Sequence, residues 1–462
     1  VINLEDKLLK RAESLGADYA DLRVVESSGM SMEIKDGELK KTVTGDEKGL
    51  SIRILYKGAW GFSATSDLSK SQLNLALQTA FDLASANSTK IKEPVQLKPT
   101  KILKNIIDWK PKKNPADVDI KDKFELISDM DNRIHEFENI LTVTTGYSDS
   151  QTIIHFLSTE GSDITSKITR TVAQANLIAR KEANIIGFRT RVGGTKGYEI
   201  FKDQDPIVKG EYAAEAVNRI LVAKPAPSGV LTLVADPSLA GVFAHEALGH
   251  AAEADQVVSH ESILEGMIGE LIAGENVTII DDSTIPGGFG SFPVDDEGVL
   301  GSKKIIIQNG VLKNFIYNRE TAFKLDAEPN GGARADSFSS RPLVRMSNTM
   351  IEPGEHTFEE LIGDIDRGIY AKGTRGGEVD TAKGTFQFNA QEAFLIENGE
   401  LTTPLRDVSL SGLTLEILKH IDAMTKVREF GEPGFCGKGQ FVPVGDGGPY
   451  IRVQNVTVGG ME

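Results

Sequence analysis

Cysteine is almost missing from this chain: one thiol, Cys436, in 462 residues. That excludes an internal disulfide and leaves no resolving partner for a redox sensor. Long apolar runs are missing too. No stretch approaches the ~20 apolar residues of a membrane-spanning helix, so no membrane partner is expected. The start, Val1-Ile2-Asn3-Leu4-Glu5-Asp6, lacks the basic and apolar pattern of a signal peptide, and a cytoplasmic location is expected. Basic residues are in deficit, 51 Lys plus Arg against 67 Asp plus Glu, for a net charge of −16. Such a surface repels phosphate backbones and argues against direct nucleic-acid binding. Gly437-Lys438-Gly439 lacks the residues that would continue a phosphate loop.

What is present is a chain long enough for two or three domains, 40% hydrophobic, with 46 glycines that favour tight turns. Its most informative segment is His245-Glu246-Ala247-Leu248-Gly249-His250. Asp236 can cap a helix leading into it, and Pro237 suits the first helical position. Leu239, Val242, Phe243, Ala247 and Leu248 give that helix an apolar face. Two histidines can hold a metal, and Glu246 between them can act as general base on the water the metal activates. The spacing is unusual. Histidines four apart sit about 40° from each other around a helix, but five apart about 140°. A shared metal therefore requires an extra residue in the helix, most simply a π-bulge. Gly249 would ease that distortion. A soft thiolate makes Cys436 the natural third ligand, with Glu253, Asp255 and His260 as nearby alternatives.

The pattern predicts an α+β protein. Residues 4–16, 69–86, 117–138 and 207–222 read as helices. Strands are expected over 18–26, 31–35, 38–43, 49–55, 59–64, 141–147, 151–158, 162–181 and 183–195. Residues 94–115 read as an irregular connection. Lys224-Pro225-Ala226-Pro227-Ser228-Gly229 reads as a linker, which divides the chain into an N-terminal α+β domain, 1–224, and a strand-rich domain, 225–462, carrying the metal helix. In the second domain Asn309-Gly310 and Asn398-Gly399 predict hairpins, and 358–368 and 414–423 predict helices.

Several further stretches carry a resemblance. They are Asp236-Pro237-Ser238-Leu239-Ala240-Gly241 before the histidine motif, Asp281-Asp282-Ser283-Thr284-Ile285-Pro286-Gly287, and Asp295-Asp296-Glu297-Gly298. Arg345-Met346-Ser347-Asn348-Thr349, Gly376-Gly377-Glu378-Val379-Asp380, Glu392-Ala393-Phe394-Leu395 and Cys436-Gly437-Lys438-Gly439-Gln440 follow in order. In these the chain resembles the TldD/PmbA family, and within it the motif-bearing TldD type. The resemblance implies a zinc metallopeptidase acting on unfolded peptides and small proteins. It implies that His245, His250 and Cys436 bind Zn2+ and that Glu246 is catalytic. It also implies a heterodimer with a PmbA/TldE-type paralogue lacking the motif, or a homodimer.

The competing function is a partner-binding regulatory protein whose metal is structural. Glu246 separates the two, because a structural site gains nothing from a carboxylate beside its ligands. Arg334, Arg345 and His420 are candidates for stabilising a tetrahedral intermediate. A sheet edge beside the metal would hold any extended peptide through its backbone.

Overall fold

The computed structural model describes residues 4–459; residues 1–3, part of the leading stretch Val1–Asp6, and residues 460–462 lie outside the described residues. Its architecture is α+β, as the pattern predicts.

The first unit is built on four long strands, Tyr19–Lys35, Glu38–Tyr56, Ile140–Ser158 and Asp163–Lys181. They pair antiparallel within a seven-stranded sheet. The sequence breaks three of these strands at polar or glycine-bearing stretches, but the structure runs through them. Gly29 faces Ser150, and a Cβ there would lie 2.3 Å from the Asp149 carbonyl oxygen. The glycine permits close approach of a neighbouring strand and does not end its own. Ser27 and Thr152 meet across the same pair, 3.2 Å between hydroxyls. The expected irregular connection also contributes a strand, Lys104–Asp108, parallel to Asp163–Lys181.

Alternation along these strands sorts the two faces. Helices Leu4–Ser14 and Lys70–Ser88 cover one end of one face, burying Leu8, Leu22, Ile52, Leu77 and Leu157. Helices Ile120–His135 and Pro206–Leu221 cover the other end, burying Ile134, Val143, Leu177 and Val217. The opposite face, with Phe156, Arg23 and Arg53, turns toward the rest of the chain. Buried ion pairs fasten it there: Arg23 to Asp296 at 2.7 Å and Arg53 to Glu297 at 2.9 Å.

From Gly229 onward five strands close on themselves. Gly229–Ala235 pairs with Ile451–Gly459, which pairs with Ser409–Leu413, then Thr385–Glu397, then Arg367–Asp380, which returns to Gly229–Ala235. A second sheet contains Ile279–Asp282, Asn348–Ile351 and Phe441–Gly448. Both Asn-Gly hairpins form, with Asn309 and Gly310 at φ 49° and 78° and Asn398 and Gly399 at φ 50° and 78°. Two expected helices are shorter than predicted. Phe358–Ile362 stops at Gly363, and Thr414–Lys419 stops at His420, because the following residues are taken by strands. The segment bearing the histidine motif packs against the strands of the closed ring and shares one core with them. Phe243 is buried edge-on against Phe386 and Phe388, with ring centroids 5.4 Å away in each case.

Candidate metal centre

The strand Gly229–Ala235 delivers the chain directly to the motif. Asp236 caps the helix: its Oδ1 accepts from the Leu239 amide at 2.8 Å and from the Gly373 amide at 2.9 Å. Pro237 takes the first helical position, and Pro237–Val242 is α-helical. The chain then changes period. Phe243–Gly249 is π-helical, and the His250 amide donates to the His245 carbonyl at 3.2 Å. An i→i+5 bond stacks residues five apart, which answers the spacing problem over a whole turn and not at a single bulge. The two imidazoles stand edge-to-face with centroids 5.2 Å apart. Gly249 has a packing reason of its own. A Cβ there would lie 2.0 Å from Met346 Sδ.

Cys436 reaches the same place from 186 positions downstream. It lies on the short strand Gly434–Gly437, opposite Val442 of Phe441–Gly448. One potential ligand atom from each of His245, His250 and Cys436 lies within 4.8 Å of the others. Sγ is 3.3 Å from His250 Nε2. Burial pushes the Cys436 thiol up, but hydrogen bonding and charge from His245 and His250 bring it down to about 5. That environment favours the thiolate over the thiol. Burial lowers His250, and its hydrogen bonds to Cys436 and Glu253 more than offset this, holding it well above the usual histidine value. His245 Nδ1 is buried without a hydrogen-bond partner. Two imidazoles and a thiolate, clustered and partly unsatisfied by protein alone, form a borderline-soft donor set that fits zinc.

The other candidates are separated by position. Glu246 is about one-third exposed, and its Oε2 is 3.7 Å from His250 Nε2. Glu253 is fully buried behind His250, with Oε2 3.3 Å from Nδ1, and it also accepts from Lys438 Nζ at 3.0 Å. Burial raises the Glu253 carboxyl, yet His250 and Lys438 hold it at about 2. Asp255 takes two hydrogen bonds from the same Lys438, each 2.7 Å. His260 is 75% exposed and bonded to Glu265, outside the cluster. His420 caps the helix Thr414–Lys419 and is not among the clustered residues. Arg345 is buried and donates to the Cys436 carbonyl at 2.5 Å and the Gln440 carbonyl at 3.0 Å. It holds the cysteine hairpin by its backbone. Arg334 donates to the Met346 carbonyl at 2.6 Å and stacks on Phe292.

Sequence reasoning missed Asp446. It is half-buried, with its inward oxygen between Gly241 and Gly431, and desolvation pushes it up to about 7, despite the charge on His245. Its neighbours come from distant segments, so nothing local in the sequence marks it.

No helix among the described residues is long and apolar enough to cross a membrane. Three family models match in order: PmbA/TldA metallopeptidase domain 1 over residues 20–88, the central domain over 113–224, and the C-terminal domain over 228–460. A metalloprotease of Methanocaldococcus jannaschii is 43% identical over 458 residues, spanning 98% of this chain and 99% of that one. A zinc metalloprotease TldD homolog of Saccharolobus solfataricus is 31% identical, spanning 98% and 99%. The crystal structure of TldE from Thermococcus kodakarensis shares the fold, with a TM-score of 0.81 at 22% identity, covering 99% and 100% of the two chains. Matched by the family's models over all three of its domains, this chain belongs to the PmbA/TldD family and is a metallopeptidase.

Proposed function

We propose that this chain is a zinc-dependent peptidase hydrolysing unfolded peptides and small proteins, with His245, His250 and Cys436 holding the ion and Glu246 moving the proton. The observation that carries it is the gathering of the three ligand atoms within 4.8 Å, with the Glu246 carboxylate beside them. Zinc in a three-ligand site supplies an acidified water and a polarised carbonyl. Glu246, reachable from solvent, takes a proton from the attacking water and returns it to the leaving amine. Glu253 fixes the ring of His250 from behind, as a carboxylate does for a ligating histidine. Lys438 and Arg345 tie that carboxylate to the Cys436 hairpin, so the two halves of the ligand set are positioned together.

Recognition of extended substrate is supported by the cysteine strand. Among the described residues, Gly434–Gly437 pairs on one side only, with Phe441–Gly448. A free strand edge holds backbone without reading side chains. The division into units 1–224 and 225–462 and a dimer with a motif-lacking paralogue or a second copy complete the proposal; the TldE likeness supports the paralogue.

Incubating the zinc-loaded chain with one protein in native and in reduced, unfolded form tests the substrate class. The unfolded form is expected to be cut and the native form spared; equal rates would sink an enclosed, strand-binding site. The role of Glu253 has its own test. Glu253→Ala leaves the buried Arg345 and the ring of His250 unmatched, so zinc affinity is expected to fall roughly 10–100-fold. Competition with a chromophoric chelator measures it, and unchanged affinity would remove Glu253 from the metal's support.

A further inference from the structure

Between the first unit's sheet and the second unit lies a cavity of about 310 Å³. Its floor carries Ser150, Thr152, Ile168 and Arg170 from adjacent strands; Phe289, Arg334, Phe435 and Pro443 are among the residues that roof it. Phe435 and Pro443 face each other on the hairpin, next to Cys436 and Val442. The cavity therefore abuts the strand that carries the third ligand. Phe289 and Pro433 also line a narrower recess that reaches Asp446, against Gly241 of the motif helix.

Three guanidiniums line this cavity, and none makes a carboxylate salt bridge among the described residues; Arg191 has the charge of Glu432 nearby, which leaves Arg170 and Arg334. Arg170 donates only to backbone carbonyls, Phe289 at 3.0 Å and Ser291 at 3.1 Å. Arg334, 5% exposed, donates only to the Met346 carbonyl. Each is backed by an aromatic face: Arg170 lies 6.0 Å from the Phe289 centroid and Arg334 4.9 Å from that of Phe292. Burial, and then the charge of Arg334, lowers Arg170 to about 9; burial, and then Arg345, lowers Arg334 to about 10. Both remain cationic at neutral pH, and each raises the cost of the other.

The carboxylates in the same cavity are engaged elsewhere. Asp149 bonds Lys123 and Tyr147. Asp296 is paired to Arg23. Asp336 accepts from the Phe441 amide. Asp295 accepts three backbone amides, and burial with the nearby Glu297 pushes it up to about 8. Buried charges are ordinarily paired. A pair of guanidiniums stacked on aromatic rings, each with N–H groups to spare, is suited to receive a planar anion.

We propose that Arg170 and Arg334 form a subsite for a carboxylate of the substrate peptide. The subsite rests on the peptidase reading and deepens it. The carboxylate is either the peptide's free C-terminus or an acidic side chain; the shared chemistry is a bidentate guanidinium–carboxylate contact. Such a contact fixes where the chain lies across the metal centre, which a strand edge alone does not.

The test uses the zinc-loaded chain and one unfolded peptide in four forms: free or amidated C-terminus, each with an internal Glu or Gln. The wild type is expected to favour one carboxylate by roughly ten- to hundredfold in kcat/KM, mainly through KM. That preference should collapse toward unity in Arg170→Gln and Arg334→Gln, and Arg170→Lys should restore part of it. Calorimetric binding of the same peptides to the Glu246→Gln chain gives the readout without turnover. A preference for the free C-terminus identifies the terminal carboxylate, and one for Glu the side chain. Equal kcat/KM for all four forms, or a preference that survives both Arg→Gln changes, overturns the subsite and leaves the peptidase reading intact. A fall in kcat equal for all four forms in Arg334→Gln also overturns it, placing Arg334 at the reacting carbonyl. No cleavage of any form by the wild type, with carboxylate-dependent binding retained, would fail the peptidase reading and not the subsite.

Discussion

Glu246→Gln is expected to keep its zinc and its fold and to lose peptide hydrolysis by roughly 10²–10⁴-fold, the usual contribution of a positioned general base. The geometry gives the direction. Glu246 is the acidic member of the motif that remains open to solvent, about one-third exposed, and it stands 3.7 Å from His250 Nε2. Among the described residues it accepts no capping hydrogen bond and belongs to no ion pair with Lys or Arg, so the amide variant removes a proton acceptor without unbalancing a buried network. Glutamine keeps the side chain's length and hydrogen-bonding capacity but cannot take up a proton. Metal analysis and a peptide-cleavage assay on the same preparation make the measurement. If the variant cleaves as fast as the wild type, Glu246 is not the base. If it loses zinc instead, the carboxylate is a ligand or a support.

The motif was readable because its constraint is local. Histidines five apart demand a change of helical period, and the chain supplies one over Phe243–Gly249. The capping residues Asp236 and Pro237 and the two Asn-Gly turns were readable for the same reason, since each is satisfied by its immediate neighbours. Strand lengths were not. Polar runs such as Ser27-Ser28-Gly29 read as breaks, because the sequence does not show that a third strand lies alongside with Ser150 opposite Gly29. The support of the site was harder still. Glu253 reads from sequence as an alternative third ligand, and only the fold shows it behind His250, held by Lys438 from 185 positions away. Arg170 carried no signal at all. Its role depends on a register that sets it opposite Ser150 and on a loop 119 and 121 residues later whose carbonyls receive it.

Cys436→Ser is expected to cost more zinc affinity than any change behind the ligands, beyond the roughly 10–100-fold of a lost outer partner. The thiol is the one anionic sulfur donor available, since the chain has no other cysteine. Its environment is arranged for the anion: His245 and His250 hold it at about 5 against the opposing effect of burial. A serine hydroxyl in the same place stays protonated at neutral pH and binds zinc weakly. The hairpin itself should survive, because Arg345 grips the Cys436 and Gln440 carbonyls and the pairing with Phe441–Gly448 is through backbone. Elemental analysis of the purified variant should therefore show depleted zinc in a folded chain. A second consequence is thermodynamic. A ligand that binds only the folded state at about 1,000 times its Kd stabilises that state by about 4.1 kcal/mol. Wild type should lose unfolding stability when a chelator is added, and Cys436→Ser should respond far less. Retained zinc and an unchanged chelator response in the variant would remove Cys436 from the centre. Glu253 would then be the next ligand to test, and its hydrogen bond to His250 Nδ1 would have to be broken to reach the ion.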